Sequence, residues 1–308
     1  MRHLIYLISA FVVTSCNYGK TDSSQSSCSS IKKATVSISG GEVYLGTDRG
    51  YPEEFKRIAT LKDFDIDNTE VTNVQFSNFV SETGYITTAE TNQPGFNVPG
   101  GAVFREPTAT NPNWWQFTEN ANWRQPEGPN SHIKGRENDP VVQVSLVDAK
   151  AYAKWAGRSL PSEAQWEHAA KAGRDSLYVW GDERAPNDVE QANTWQGAFP
   201  IQNSQLDGYR LRAPVGCYAP NDFELYDMIG NVWEWTVSPY VQNTRQWKAV
   251  KDSDKDTHFQ NYTIKGGSFL CAPNFCARYR APARQSQEAD FSTNHIGFRT
   301  VSQRFGDS

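Results

Sequence analysis

Apolar residues recur at helical spacing in three short stretches, and each stretch is bracketed by residues that suit a helix end. In residues 72–84, Phe76, Phe79 and Val80 form one face, Thr72 and Gln75 make a capping-box pattern, and Gly84 supplies the stop. Residues 145–157 repeat the logic with Ser145, Asp148 and Gly157, and residues 162–173 do so with Ser162, Gln165 and Gly173. Alternation takes over in "ATVSISGGEVYLG", where apolar and polar positions alternate on both sides of Gly40 and Gly41, so a hairpin is expected there. Residues 90–138 and 187–221 hold no period and are rich in Asn, Pro, Gly and Trp. Long irregular stretches in a compact domain are usually functional or held by something extra, such as bound ions.

The N-terminus follows another pattern. A basic start, Met1-Arg2-His3, precedes an apolar run at 4–13 that is too short to cross a bilayer as a mature helix. Val13-Thr14-Ser15-Cys16 then fits a bacterial lipoprotein cleavage box, with an ordinary secretory signal as the alternative. The expected organisation is a signal peptide over 1–16 with Cys16 lipidated, a Ser-rich tether over 17–33, and one large domain over 34–308. Such a chain is exported, and it touches the membrane only through its lipid while facing the periplasm or cell surface. A net charge of −5 gives no support for nucleic-acid binding. Ten tryptophans and thirteen tyrosines against two methionines indicate a loop-rich fold organised by large rings.

Candidate chemistry gathers in three places. Asn193 and Asp207 bracket one loop, and Asp227 and Glu234 flank Gly230-Asn231. Both sets could supply oxygen ligands to calcium, or could be turn formers that bond their own backbone. The third place is "GGSFLCAPNFCARYR", where Cys271 and Cys276 stand five apart. From spacing and compartment alone a structural disulfide is the plainest reading. Zinc would want further ligands that are missing nearby, whereas two thiolates suit Cu(I). Histidine-held iron is disfavoured, because only five histidines exist and His3 belongs to the leader.

The order of "DNTEVTNVQFSNFVSETGY", "GRSLPSEAQWEHAAKAG", "VWGDE", "ANTWQGAFP", "LYDMIGNVWEWT", "KGGSFLCAPNFCARYRAPAR" and "HIGFR" resembles the formylglycine-generating enzyme, or sulfatase-modifying factor, family. The resemblance runs from about residue 40 to 301. "GNVWEW" and "GFR" mark the wider superfamily, and the cysteine pair is the narrower mark. It implies a single α+β domain with short helices, small antiparallel sheets and much irregular loop. It also implies an oxygen-using oxidase, a monomer, that converts the cysteine of Cys-x-Pro-x-Arg in an unfolded sulfatase segment to formylglycine. Cu(I) would be held by Cys271 and Cys276, with Ser268 as a hydrogen-bond donor to bound oxygen species and Trp233 as a wall of the cleft. One calcium would fall to Asn193, Asp207 and the carbonyls of Thr194 and Tyr209. A second would fall to Asp227, Glu234 and the carbonyls of Gly230 and Val232. Arg278, Arg280 and Arg284 would line a peptide groove or pair with carboxylates.

Some positions depart from the family pattern: Asp139, Gln143 and Leu146 replace histidines and a Trp of many relatives, and Ala272 follows the first cysteine. Cys28 and Cys217 do not match the disulfides of the secreted animal enzymes. "CAPNF" has Phe275 where a substrate needs Arg, so the chain is not its own target. The rival readings are a non-enzymatic lipoprotein scaffold of the same fold and a maturation enzyme acting on another residue. The thiol pair argues against both.

Overall fold

All three capping boxes form. The computed structural model describes residues 34–93, 95–252 and 260–304, without the side chains of 249–252. The expected leader and tether, with Cys16 and Cys28, lie outside the described residues. Helix α1 spans Asn73–Thr83, α2 Leu146–Trp155 and α3 Glu163–Lys171, and at each start the cap hydroxyl accepts from the third residue's amide while that residue's side chain accepts from the cap amide. Helix α1 ends on Gly84 at φ 66°, but α3 ends one residue before its glycine, on Ala172 at φ 47°. A fourth helix, α4 at Thr244–Asp252, was not expected. Its start uses a related device, with the Gln246 amide donating to Asn243 and Gln246 Oε1 accepting from the amide of Gln242, one residue before the cap.

The hairpin expected around Gly40 is corrected. Strands β1 (Thr35–Ile38) and β2 (Gly41–Leu45) exist but do not pair with each other. β1 pairs antiparallel with β4 (Phe64–Asp67), and β2 with β3 (Arg57–Leu61). Residues 35–45 and 57–67 are thus two bent strands that turn the same corner together. Gly40 marks a close approach rather than a hairpin turn: a Cβ there would stand 2.3 Å from the Leu61 carbonyl oxygen.

Strands β5 (Gly100–Phe104) and β6 (Trp115–Glu119) pair inside the first irregular stretch. Strands β7 (Trp233–Pro239), β8 (Asn261–Lys265), β9 (Arg284–Glu288) and β10 (Ile296–Gly297) form a sheet in the order β10-β7-β8-β9. β10 runs parallel to β7; the other pairs are antiparallel. β11 (Val301–Gln303) completes the β1-β4 sheet. The result is an α+β domain of short helices, small sheets and much loop. Among the described residues no helix is long and apolar enough to cross a membrane.

Rings fill the main core, as the composition indicated. Phe76 meets Trp123 edge-on at 5.3 Å and Tyr152 at 5.9 Å, and Trp233 and Trp235 bury beside them. Behind α3 lies a sealed ionic cluster. Lys265 reaches Glu167 at 3.0 Å, and Glu163 takes Arg57 and Arg284 at 2.7 Å each, all with side chains at most 5% exposed. Burial alone would raise the Glu167 carboxyl, but Lys265 and Arg57 hold it at about 2. Removing one member strands the others. Lys265→Met should lower stability by about 3–5 kcal/mol in urea unfolding, whereas Lys56→Met, which breaks only an exposed pair with Asp48, should leave the midpoint unchanged.

Candidate active site

The thiol loop begins where β8 ends. Gly266 and Gly267 adopt φ 95° and 81°, and a Cβ on Gly267 would lie 2.9 Å from the Tyr279 Cα, so this turn needs glycine. Beyond it the Ser268 carbonyl accepts from the Cys271 amide at 2.9 Å, and the Ala272 carbonyl accepts from Cys276 at 3.1 Å. These local bonds set the two sulfurs 3.4 Å apart. Both are free thiols, not the disulfide that spacing and compartment suggested.

Their environments differ. Burial pushes the Cys271 thiol up. The hydrogen bond from Cys271 brings Cys276 down to about 6, helped by the amide and guanidinium of Arg278. The pair therefore holds one proton and one negative charge near neutrality, with the charge on the more exposed sulfur. Ser268 is fully buried and bonds the Cys271 side, while its Oγ accepts from the Leu270 amide at 3.3 Å.

Both sulfurs open on a cavity of about 400 Å³ that also takes in Ser268 and Trp233. Its walls are aromatic. Phe275 stacks on Phe199 at 4.4 Å, Phe96 on Phe117 at 3.7 Å, and Trp115 leans on His295 at 4.7 Å. Gln116, Gln285, Gln287 and Thr293 add neutral polar groups, and among the described residues no Asp, Glu, Lys or Arg lines the space. Sequence reasoning missed Trp115 and His295; the histidine stood inside "HIGFR" without a role. A larger cavity, about 940 Å³, lies between the β2–β3 pair, α3 and α4. Among the described residues no cysteine lines it, and Arg57, Lys171 and Arg174 on its wall are already paired with carboxylates, so the thiols mark the smaller one.

The three arginines pair with carboxylates instead of lining the cavity. Arg278 bonds Glu53 at 2.6 Å, Arg280 bonds Glu54 at 2.6 Å, and Arg284 joins the sealed cluster through Glu163. Asp139 pairs with Arg136, and Gln143 bonds the Ala102 and Pro126 carbonyls.

The first oxygen set comes together. Asp207 accepts from the amides of Thr194 at 2.9 Å and Tyr209 at 3.0 Å. The Gln196 amide nitrogen bridges Asp207 and the Thr194 carbonyl, which marks a place where a positive group is welcome. Asn193 spends its amide nitrogen on the Leu211 carbonyl and Asn231, which leaves its side-chain oxygen for a cation. These donors fit calcium.

The second set fits less completely. Both oxygens of Glu234 are held by Arg299 at 2.7 Å, and Trp166 donates to one of them at 2.8 Å. Asp227 accepts from the Gly216 amide, and burial pushes its carboxyl up to about 6. Beside it stands Glu70, unforeseen from sequence and fully buried, whose Oε2 lies 4.0 Å from Arg299 but has no hydrogen-bond partner among the described residues. Among the described residues Glu70, Asp227 and Glu234 share the single cation Arg299, and burial with the Asp227 carboxylate beside it pushes the Glu70 carboxyl well up. Asn231 joins the two sets, because it bonds Glu70, Asn193 and the amide of Ala213. Cys217 is disulfide-bonded, and the Tyr209 hydroxyl donates to its sulfur at 3.3 Å.

A sulfatase-modifying factor enzyme 1-like domain matches residues 20–304. A formylglycine-generating enzyme of Mycobacterium tuberculosis is 43% identical over 289 residues, spanning 86% of this chain and 96% of that protein. A Bos taurus protein named inactive C-alpha-formylglycine-generating enzyme 2 is 36% identical over 279 residues, spanning 87% of each. The solved structure of PvdO from Pseudomonas aeruginosa shares the fold, with a TM-score of 0.62 at 22% identity over 88% of this chain and 94% of that one.

The difference between the two thiols is measurable. Alkylation of Cys276 by iodoacetamide, followed by peptide mass spectrometry, should rise with pH through a midpoint near 6, with Cys271 reacting only at higher pH. Equal reactivity of the two sulfurs would contradict the asymmetry.

Proposed function

The chain belongs to the sulfatase-modifying factor enzyme family, and from that premise we propose that it oxidises a cysteine of sulfatase-type proteins to formylglycine. The observation that carries this is the pair of free thiols 3.4 Å apart at the end of an aromatic cleft. Family and fold alone do not decide, since a relative named inactive is also closely similar. A scaffold, however, has no use for two reduced, unequal sulfurs on a cleft wall.

In this reading Cys271 and Cys276 hold Cu(I). Two soft sulfurs fit that ion, and among the described residues no three His, Cys, Asp or Glu side chains gather as a metal site beside them. When bound, copper supplies the redox chemistry with oxygen that acid–base groups cannot. The substrate's β-carbon loses sulfur as sulfide and takes its oxygen from water. O₂ accepts four electrons, two from that carbon and two from a reductant. The protein's own groups prepare the place. Arg278 favours the thiolate of Cys276, Ser268 fixes the Cys271 side of the loop, and Trp233 with the aromatic walls keeps bulk water away. The recessed cleft suits an extended segment, here one carrying Cys-x-Pro-x-Arg. Calcium at Asn193, Thr194, Asp207 and Tyr209, and at Asp227 with the Gly230 and Val232 carbonyls, would hold the loops behind the cleft. The protein acts as an exported monomer, tethered through lipid on Cys16.

Two measurements test this. Mass spectrometry of a Cys-x-Pro-x-Arg peptide incubated with tetherless protein, Cu(I), reductant and oxygen should find the aldehyde. The product should be lost in both Cys271→Ser and Cys276→Ser. No conversion, together with no copper binding, would leave the scaffold reading standing. For calcium, chelation should lower the melting temperature, and calcium at a hundred times its Kd should restore about 2.7 kcal/mol. The metal-free protein should also respond to pH. Asp227 titrates at about 6 in the folded state against an ordinary 3.8, so the protonated form's extra stability is full below pH 3.8 and gone once pH has risen through about 6. Bound calcium should remove that loss.

A further inference from the structure

His295 sits on the cleft wall at the start of the segment that leads into β10, and its carbonyl accepts from the Trp233 amide at 2.9 Å. Its ring is buried, with Trp115 against one face. Nδ1 lies 3.2 Å from Thr293 Oγ1, and that same oxygen accepts from the His295 amide at 3.4 Å. A buried hydroxyl needs an acceptor for its own proton, and Nδ1 is the acceptor within reach. The threonine therefore donates to Nδ1, and the ring's proton stands on Nε2. That nitrogen has no protein partner among the described residues and is not among the sealed, unpartnered atoms. Burial, with the buried guanidinium of Arg212 nearby, drives the imidazole to about 3, so it stays neutral throughout the physiological range. The site thus presents one fixed, uncharged N–H donor to the cavity.

The cavity wall indicates what the donor meets. Besides the Cys276 thiolate it offers three glutamine amides and aromatic faces, with no cationic side chain among the described lining residues, so it suits peptide main chain and apolar side chains and would leave an anion without a counter-charge. We propose that His295 is a substrate-binding residue whose Nε2–H donates to a main-chain carbonyl of the segment carrying the reactive cysteine. This rests on the sulfatase-segment reading above. Charged side chains of the same segment, including the arginine of Cys-x-Pro-x-Arg, then lie outside the cavity.

The test is binding of a fluorescent Cys-x-Pro-x-Arg peptide, its cysteine replaced by serine, read by anisotropy at several pH values. His295→Phe should weaken binding about 5–10-fold, as expected for one lost hydrogen bond. His295→Gln, which keeps a neutral N–H at similar reach, should bind within about two-fold of the native protein. Thr293→Val frees the ring to take either tautomer and should cost about two-fold. The losses should be flat from pH 5 to 8. Peptides with single main-chain amides replaced by esters, which are poorer acceptors, locate the partner: one ester should weaken the native protein and not His295→Phe. If His295→Phe does not fold, the same ester should couple to Thr293→Val. Unchanged binding in His295→Phe, or equal ester losses in native and variant, overturns the assignment alone. If the native protein binds no peptide, the substrate reading falls and the assignment falls with it.

Discussion

Arg299 is the tie on which the arrangement depends. Its guanidinium grips both oxygens of Glu234 on β7 and donates to the carbonyls of Asp67 at the end of β4 and Tyr226 in the loop before β7. Three separate stretches of chain thus meet on one side chain that is wholly out of water. A fold whose described residues form short helices and two- to four-stranded sheets has few long interfaces to fix its parts. Buried ion pairs take that role, because a misplaced segment would leave a charge stranded in a low-dielectric interior. The cluster of Lys265, Glu163, Glu167, Arg57 and Arg284 does the same behind α3.

What Arg299 fixes, Asn231 transmits. Its left-handed backbone, φ 54°, lets the side chain bond Glu70 and Asn193 while its carbonyl accepts from the Phe269 amide in the thiol loop. The two oxygen-rich loops and the loop bearing the thiols are therefore neighbours through one residue. Trp233, two positions on, then enters the cleft wall directly. Loops that hold no regular structure are placed here by side-chain amides and carboxylates, which is how irregular chain can still present a defined surface.

Local signals were legible in the sequence, and long-range pairings were not. Thr72 with Gln75, Ser145 with Asp148, and Ser162 with Gln165 each state a helix start within four residues, and each start formed. Asn243 with Gln246 states a fourth in related terms and was overlooked. Gly40-Gly41 looked like a hairpin turn because two alternating runs flank it, but the partner strands lay some twenty residues further on. Nothing local distinguishes a turn from a corner. At the site, Cys271 and Cys276 stood out by type and spacing. Glu70, Trp115 and His295 did not, because they are far from the thiols in sequence and only the assembled fold gives them a common address.

The thiol loop carries one more consequence. The sulfur spacing is set by bonds within residues 268–276, whereas the cleft is put together from Trp115, Phe199, Gln285 and His295, drawn from across the chain. The two halves of the site therefore rest on different contacts. An opening that parts the cleft walls leaves the sulfurs side by side. A molecule caught in that condition in an oxidising compartment still has its thiols in reach of each other, with nothing between them and solvent oxidants. The vulnerability of this fold is then not loss of its sulfurs but their premature union.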